Sequence, residues 1–566
     1  MRKIISLFLC ALIIFSCAVV SFAQDNEEEL NIAVASDLHY NLPREELEHT
    51  IDDEIYWYAN RRAAMEDESG YIIDEFLNQC AEDDSVDCVF ISGDLADNGR
   101  VIREEHENVA AKLKAFEEKT GKSVFVTNGN HDTGAAESDF RNDDFREVYA
   151  DFGFNEAIAT ATDALSYTAD LNDKYRLIVA DSCDPTVSTE DGLTSKRVNW
   201  ICDQATQAHK DGKYPILMMH HNLLEHMPAQ RVLSHNFIVR NHRLTAEKLA
   251  DSGIKAVFTG HEHGSDVTSY TSARGNVITD FSTTSLTMFP LAYRYVSFAE
   301  NVINYESRSI DTIDTDALTS AVSGYTDEHI SLINSDLSDY SKNFFKTSIE
   351  YRLSLALTPE KLGIATDKFY SDIVYTAVNG LTDILEKPLY GENSVSELAS
   401  EYNIEIPESD YENGWDLVSE IVSYHYSGNE PFALDSTEVV MILRIADLIL
   451  LDVLSSVNDK TFLKLANDII SNFGTDSVCK DFSKAAAKTL GPVTAGEYFI
   501  IAVASPILYG LAYDSDGIDD NNGSIDGYGV NNNSENIKNN ISGFFERIKL
   551  YISFFLTYIL KIFRIG

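Results

Sequence analysis

The sequence predicts an α/β domain followed by a mostly α-helical one, and three observations carry that reading. Short, near-continuously apolar runs alternate with helical patterns up to residue 312. Polar residues of ligand type close five of six such runs, where open α/β sheets build their sites. Beyond residue 313 the pattern turns into long segments of 3.6 period.

The first element, 1–23, has basic Arg2 and Lys3, an apolar run from Ile4 and small residues Ser21 and Ala23 before Gln24. That is the pattern of a secretory signal peptide cut after Ala23. Domain one is expected over 24–312, with buried strands at 31–36, 87–92, 123–127, 176–180, 215–219 and 255–259. Their closing residues read SDLH, SGDL, NGNHD, HHN and GHEH for all but the fourth.

The helical domain is expected over 313–512. Thr358-Pro359-Glu360 supplies a cap and a first-turn proline, and Asp435 with Glu438 resembles a capping box. Arg444, Asp447 and Asp452 interrupt the apolar run that follows, 438–454, which makes it a buried helix rather than a membrane span. The stretch 513–542 is rich in Asp, Asn, Gly and Ser, cannot build a core, and is expected to be a linker.

In the last segment, 543–566, Phe545, Ile548, Ile552, Phe555, Ile559 and Ile562 recur on one helical face. Glu546, Lys549, Ser553, Thr557, Lys561 and Arg564 recur on the other. Lys549 and Lys561 bracket about 16 Å of helix against roughly 30 Å of hydrocarbon, so interfacial attachment to a membrane is favoured over a span. Packing of this helix against protein stays open.

The chain carries 44 Lys+Arg against 91 Asp+Glu, a net charge of −47. Such a surface repels phosphate backbones and argues against nucleic acid held along a basic groove. Outside the signal segment, Cys80, Cys88, Cys183, Cys202 and Cys479 are too few and too scattered for a disulfide scaffold, and no CxxC pair suggests a thiolate metal site.

The chemistry lies in the strand-end clusters. Asp37 and His39 are one residue apart, Asp94 follows a glycine, Asn130 and His131 follow another, His220 ends a strand, and His261 and His263 are again one residue apart. Carboxylate, imidazole and amide oxygen donors suit divalent Mn, Fe, Zn or Co, and there are enough of them for two ions. His220 is preferred over His221 because it directly follows its strand. His226, His235 and His242 read as ordinary satisfied histidines.

These blocks resemble the calcineurin-like metallophosphoesterase superfamily: Asp37-Leu38-His39, Gly93-Asp94-Leu95-Ala96-Asp97, Gly129-Asn130-His131-Asp132, His220 and Gly260-His261-Glu262-His263, in the family's order. The resemblance implies a four-layered α/β/β/α sandwich. It also implies one ion held by Asp37, His39, Asp94 and His263, and a second by Asp94, Asn130, His220 and His261, with Asp94 bridging. A hydroxide bound to the two ions would then attack phosphorus. His131 would face the substrate as hydrogen-bond or proton donor, and the Asp97 carboxylate would orient it.

Phosphoprotein phosphatases of the superfamily carry an arginine where this chain has Asn98, which favours a small or nucleotide-like phosphomonoester or phosphodiester. Tyr56, Trp57, Tyr58, Arg61 and Arg62 fall in a long insertion that is expected to flap beside the metals. The reading is a secreted, surface-associated metal-dependent phosphoesterase. Its rival is a catalytically silent metal-containing surface protein that binds a partner through the helical domain; intact His131 and Asp97 argue against the rival.

Overall fold

The computed structural model describes residues 29–43, 63–133, 138–184, 186, 191–227, 230, 236–356, 371–473, 476–513 and 517–529. The expected signal segment, the aromatic and arginine residues of the expected flap, His235, the expected cap at Thr358-Pro359-Glu360 and the expected C-terminal helix lie outside the described residues.

Among the described residues thirteen strands build two sheets: β1 (Leu30–Ala35), β2 (Cys88–Ile91), β3 (Ser123–Val126), β4 (Ala159–Thr160), β5 (Tyr167–Asp170), β6 (Tyr175–Ala180), β7 (Tyr214–Met219), β8 (Ala256–Thr259), β9 (Asp266–Thr271), β10 (Val277–Ser282), β11 (Ala292–Phe298), β12 (Val302–Ser309) and β13 (Asn522–Asp526). One sheet runs β13-β12-β11-β1-β2-β3, the other β4-β5-β6-β7-β8-β10-β9. The six strands expected from the sequence are β1, β2, β3, β6, β7 and β8, and within each sheet their three are mutually parallel.

Alternation along the strands explains the layers. Ile32, Val34, Phe90 and Phe125 face the other sheet and meet Val179, Ile216, Met218 and Phe258 in a core between the sheets. Their neighbours Ala33, Val89, Ile91 and Val124 point the other way, onto α1 (Ser69–Glu82) and α2 (Arg103–Thr120) through Phe76, Val109 and Leu113. After the short α3 (Asn142–Val148), the second sheet is covered likewise: Ile178, Leu217 and Val257 pack against α4 (Ser195–Lys210) and α5 (His242–Asp251) through Ile201, Ala205 and Leu249. Because the inner strands β1, β2, β3, β6, β7 and β8 are covered on both faces, they read as near-continuous apolar runs, and the layers are α/β/β/α.

The remaining helices are α6 (Thr315–Ala321), α7 (Asp327–Ser335), α8 (Leu337–Ala356), α9 (Ser371–Leu385), α10 (Val395–Glu401), α11 (Gly414–Tyr426), α12 (Thr437–Leu448), α13 (Asp459–Phe473), α14 (Asp476–Leu490) and α15 (Ala495–Ala512). The helices from α9 on share a core containing Leu417, Ile421, Met441, Ile445, Phe462, Phe482 and Phe499. Met288 and Phe289 of the α/β domain meet Phe345 of α8 and Val422 of α11 in a smaller apolar cluster that joins the two parts. Among the described residues no helix is long and apolar enough to cross a membrane.

Two expectations are corrected. The cap of α12 is Ser436, whose side chain accepts from Val439 N, while Asp435 pairs with Lys488 instead of closing a capping box. The stretch expected to be a linker contains β13, which pairs antiparallel with β12 from Glu306↔Asn522 to Val302↔Asp526. An edge strand is held by its backbone hydrogen bonds and needs little apolar content, so composition did not reveal it.

Candidate metal centre

All seven proposed ligands come together at the carboxyl ends of β1, β2, β3, β7 and β8. The chain must turn sharply there, and it turns on the proposed ligands themselves. Asp37, His39, Asp94, His261 and His263 all have positive φ, between 41° and 67°, a region that costs non-glycine residues energy. Backbone bonds from Asp37 N to Gly93 O and from His39 N to Asp94 O, each 3.0 Å, hold the first two turns together. Gly129 and Gly260 permit the close approach, because a Cβ at the former would strike Asp94 and at the latter Ser36 and Asp37.

The two buried carboxylates are wired alike. Asp37 Oδ2 accepts from His261 N at 2.9 Å, and Asp94 Oδ1 accepts from His131 N at 2.7 Å. Their other oxygens, Asp37 Oδ1 and Asp94 Oδ2, are buried with no hydrogen-bond partner. Around them stand His263 Nε2 at 3.3 Å from Asp37 Oδ1, and His220 Nε2 at 3.3 Å and His39 Nε2 at 3.9 Å from Asp94 Oδ2. Asn130 Oδ1 lies 3.1 Å from His220 Nε2. Two orphaned anionic oxygens among imidazoles are a donor set that fits divalent cations. The groups Asp37-His39-His263 and Asp94-His220-His261 could each hold one, and a third group, His39-Asp94-His131, overlaps both and brings His131 within reach of the same oxygens.

Each imidazole is oriented through its other nitrogen, the usual support of a metal-binding histidine. His39 Nδ1 meets Asp97 Oδ1 at 3.0 Å, His220 Nδ1 meets Ser92 O at 2.9 Å, His261 Nε2 meets Asn236 O at 3.2 Å and His263 Nδ1 meets Met288 Sδ at 2.9 Å. The site therefore presents Nε2 of His39, His220 and His263, but Nδ1 of His261.

The electrostatics follow from burial and charge pairing. Burial resists the Asp94 charge, but the imidazoles of His220 and His131 hold its carboxyl well below the usual range. Burial likewise opposes charge on His220, yet the Asp94 carboxylate pushes it up to about 9. His261 is driven down to about 3 by burial and then by His220. His131 is lowered, chiefly by burial, with Asp94 pulling the other way.

His131 and Asp97 sit beside the ligands, but their relation differs from the expected one. The Asp97 carboxylate bonds His39, and it is the Asp97 backbone carbonyl that takes His131 Nδ1 at 2.8 Å; the carboxylate stands 3.6 Å from that nitrogen. A carbonyl can only accept, so His131 carries its proton on Nδ1 and turns Nε2 outward. The His131 and His263 side chains are 19% and 23% exposed, against 0% for His220 and 4% for His39, so both stand at the open side.

Sequence reasoning missed Met288, Asn236 and Ser92. The last two act through main-chain oxygens, which no residue type announces. His221 packs its ring 4.4 Å from that of His261, with Nδ1 on Ser182 Oγ, and lies outside the donor set. His226 is clamped between Asp266 and Asp280, and His242 meets Glu225, as satisfied histidines do.

Among solved structures the chain is similar to a dimetal phosphatase from Danio rerio (14% identity, covering 50% of this chain and 96% of that one, TM-score 0.37). It is also similar to PhoD (12% identity, 50% and 66%, TM-score 0.33) and to the NAD nucleotidase of Haemophilus influenzae (12% identity, 60% and 61%, TM-score 0.28). No curated protein matches it. Residues 30–265, which carry all five strand-end blocks, match the family model for calcineurin-like phosphoesterases, and this domain of the chain belongs to that family.

Proposed function

We propose that this chain hydrolyses a phosphomonoester or phosphodiester of a small or nucleotide-like alcohol with two divalent metal ions. The observation that carries the reading is Asp94 Oδ2, a buried carboxylate oxygen without a hydrogen-bond partner that stands between the His39 and His220 imidazoles. Bound ions would supply Lewis acidity to a phosphoryl group and lower the pKa of water. The protein's own parts then have distinct work. Asp37, His39, Asp94, Asn130, His220, His261 and His263 hold the ions, and His131 Nε2, held outward by the Asp97 carbonyl, exchanges a hydrogen bond or proton with the ester.

The preference for small esters is supported at Asn98. Its amide donates to Asn41 Oδ1 at 3.1 Å and Glu105 Oε1 at 3.2 Å, so the position offers a tethered neutral group where phosphoprotein phosphatases offer a guanidinium. The signal-like start and amphipathic end support work outside the cytoplasm, near a membrane surface.

The test combines elemental analysis of the purified chain with turnover of chromogenic mono- and diesters by wild type, Asp94→Ala and His131→Ala. Two metals per chain are expected, with loss of metal in the first variant. The second should keep its metal and lose about 10²- to 10⁴-fold in kcat. Fewer than one metal in wild type, or turnover indifferent to both changes, would overturn the reading.

A further inference from the structure

The segment around β13 does more than extend a sheet. Just before the strand, Asp520 is 4% exposed; its Oδ1 accepts from Val267 N at 2.7 Å and its carbonyl from Arg294 at 2.6 Å. Arg294, fully buried, also donates to Ser265 Oγ at 2.9 Å and to the Ser282 and Asp266 carbonyls. Asn521 places both donors of its amide on the turn that ends α11, at 2.8 Å from Ser427 O and 2.8 Å from Gly428 O. That turn in turn accepts Ser265 N on Tyr426 O at 3.0 Å. Gly428, with φ 63°, approaches so closely that a Cβ there would lie 2.6 Å from Ser265 O and 2.9 Å from the Asp520 side chain.

Three stretches far apart in sequence thus meet at one seam. Ser265 is two residues beyond the ligand His263. On the same side Met288 receives His263 Nδ1 while packing against Phe345 of α8 and Val422 of α11. The ligand loop is therefore held from the helical domain and from the C-terminal segment, not by its own sheet alone. A left-handed ligand such as His263 needs such over-determination to keep its conformation.

We propose that Asn521 and Gly428 are positioning residues of the metal centre, fastening the His261–Ser265 loop to the end of α11 so that His263 holds its place. The helical domain and the returning segment are on this view parts of the metal site. The proposal rests on the reading of Asp37, His39, Asp94 and His263 as metal ligands.

The test uses the full chain as wild type, Asn521→Ala, Gly428→Ala, and Ser524→Ala as a control on the exposed face of β13 away from the seam. In metal-free protein, hydrogen exchange of peptides covering 260–268 should quicken in the first two variants and stay unchanged in the third. Chelator competition should show Mn²⁺ bound about tenfold more weakly by the first two, as for loss of a ligand's outer support. Their kcat should fall with KM little changed. Wild-type exchange and affinity in both seam variants, or equal loosening in Ser524→Ala, would overturn the proposal. A wild type that binds no Mn²⁺ would overturn the proposed function instead, while exchange at 260–268 still reads the seam.

Discussion

Asp97 separates two accounts of the site. Its carboxylate is 6% exposed and lies 3.0 Å from His39 Nδ1, while its main-chain carbonyl, which no substitution removes, holds His131. Burial disfavours the His39 charge, but the Asp97 hydrogen bond and charge outweigh it and raise the imidazole above its ordinary value. Outer partners of this kind support metal affinity by about 10- to 100-fold, or about 1.4 to 2.8 kcal/mol. Asp97→Asn keeps an acceptor and loses the charge, so it should weaken metal binding by about tenfold, whereas Asp97→Ala also strands the His39 N–H and should approach 100-fold. Activity titrated with metal should move to higher metal concentration in both variants, and saturating metal should restore kcat because His131 keeps its carbonyl. A kcat that stays as low as that of His131→Ala at saturating metal, with metal affinity unchanged, would show that the carboxylate acts through His131 and refute this account.

Three further outcomes are expected. Met288→Leu conserves volume but removes the acceptor from His263 Nδ1, so metal affinity should drop severalfold while the melting temperature of the metal-free chain stays near wild type. Gly129→Ala drives a Cβ into Asp94 and should leave less than one metal per chain by elemental analysis, with a stability loss of about 1 to 3 kcal/mol. His106 is fully buried, stacked at 4.1 Å on Phe140, and pushed down to about 3 by burial. Between its unfolded value near 6.5 and its folded value the unfolded chain binds the extra proton, so stability falls as pH falls, by about 2 kcal/mol at pH 5. Denaturant unfolding of His106→Phe should lack that part of the acid slope; parallel curves from pH 7 to 5 would count against it.

The parts legible in the sequence share a physical reason. A strand buried on both faces must be apolar throughout, so β1, β2, β3, β6, β7 and β8 stand out in the sequence, and the candidate ligand residues lie within a few residues of the ends of five of them. Asp97 was found as a residue and misassigned as a contact, because spacing places a side chain near a site without saying which of two histidines it meets. Met288 follows no periodic signal; its role arises where a loop after β10 passes under His263. β13 was hidden because its polar composition suits an edge: Gly523 is required under Tyr305, whose ring a Cβ would strike, and Asn521 is spent on carbonyls rather than on a core.

The same features that make this site chemically apt make it costly to fold. Asp37 and Asp94 are buried carboxylates with one oxygen each left unbonded, and five of the proposed ligands sit in left-handed backbone. Each such residue carries on the order of 1 to 3 kcal/mol of strain, before the desolvated charges are counted. The parallel strands beneath cannot relieve this, since their hydrogen bonds end at the loops. What lies around the loops can: the β1–β2 turn bonds, the Met288 cluster against α8 and α11, and the Arg294–Asp520–Asn521 seam each fix a ligand-bearing turn from a different side. The helical half of the chain, whose described residues present no recognisable chemistry of their own, is intelligible as part of that support: besides Leu318, Ile333, Leu337 and Phe344, which join the core over α1, it meets the α/β domain at the loops that carry His263 and Met288.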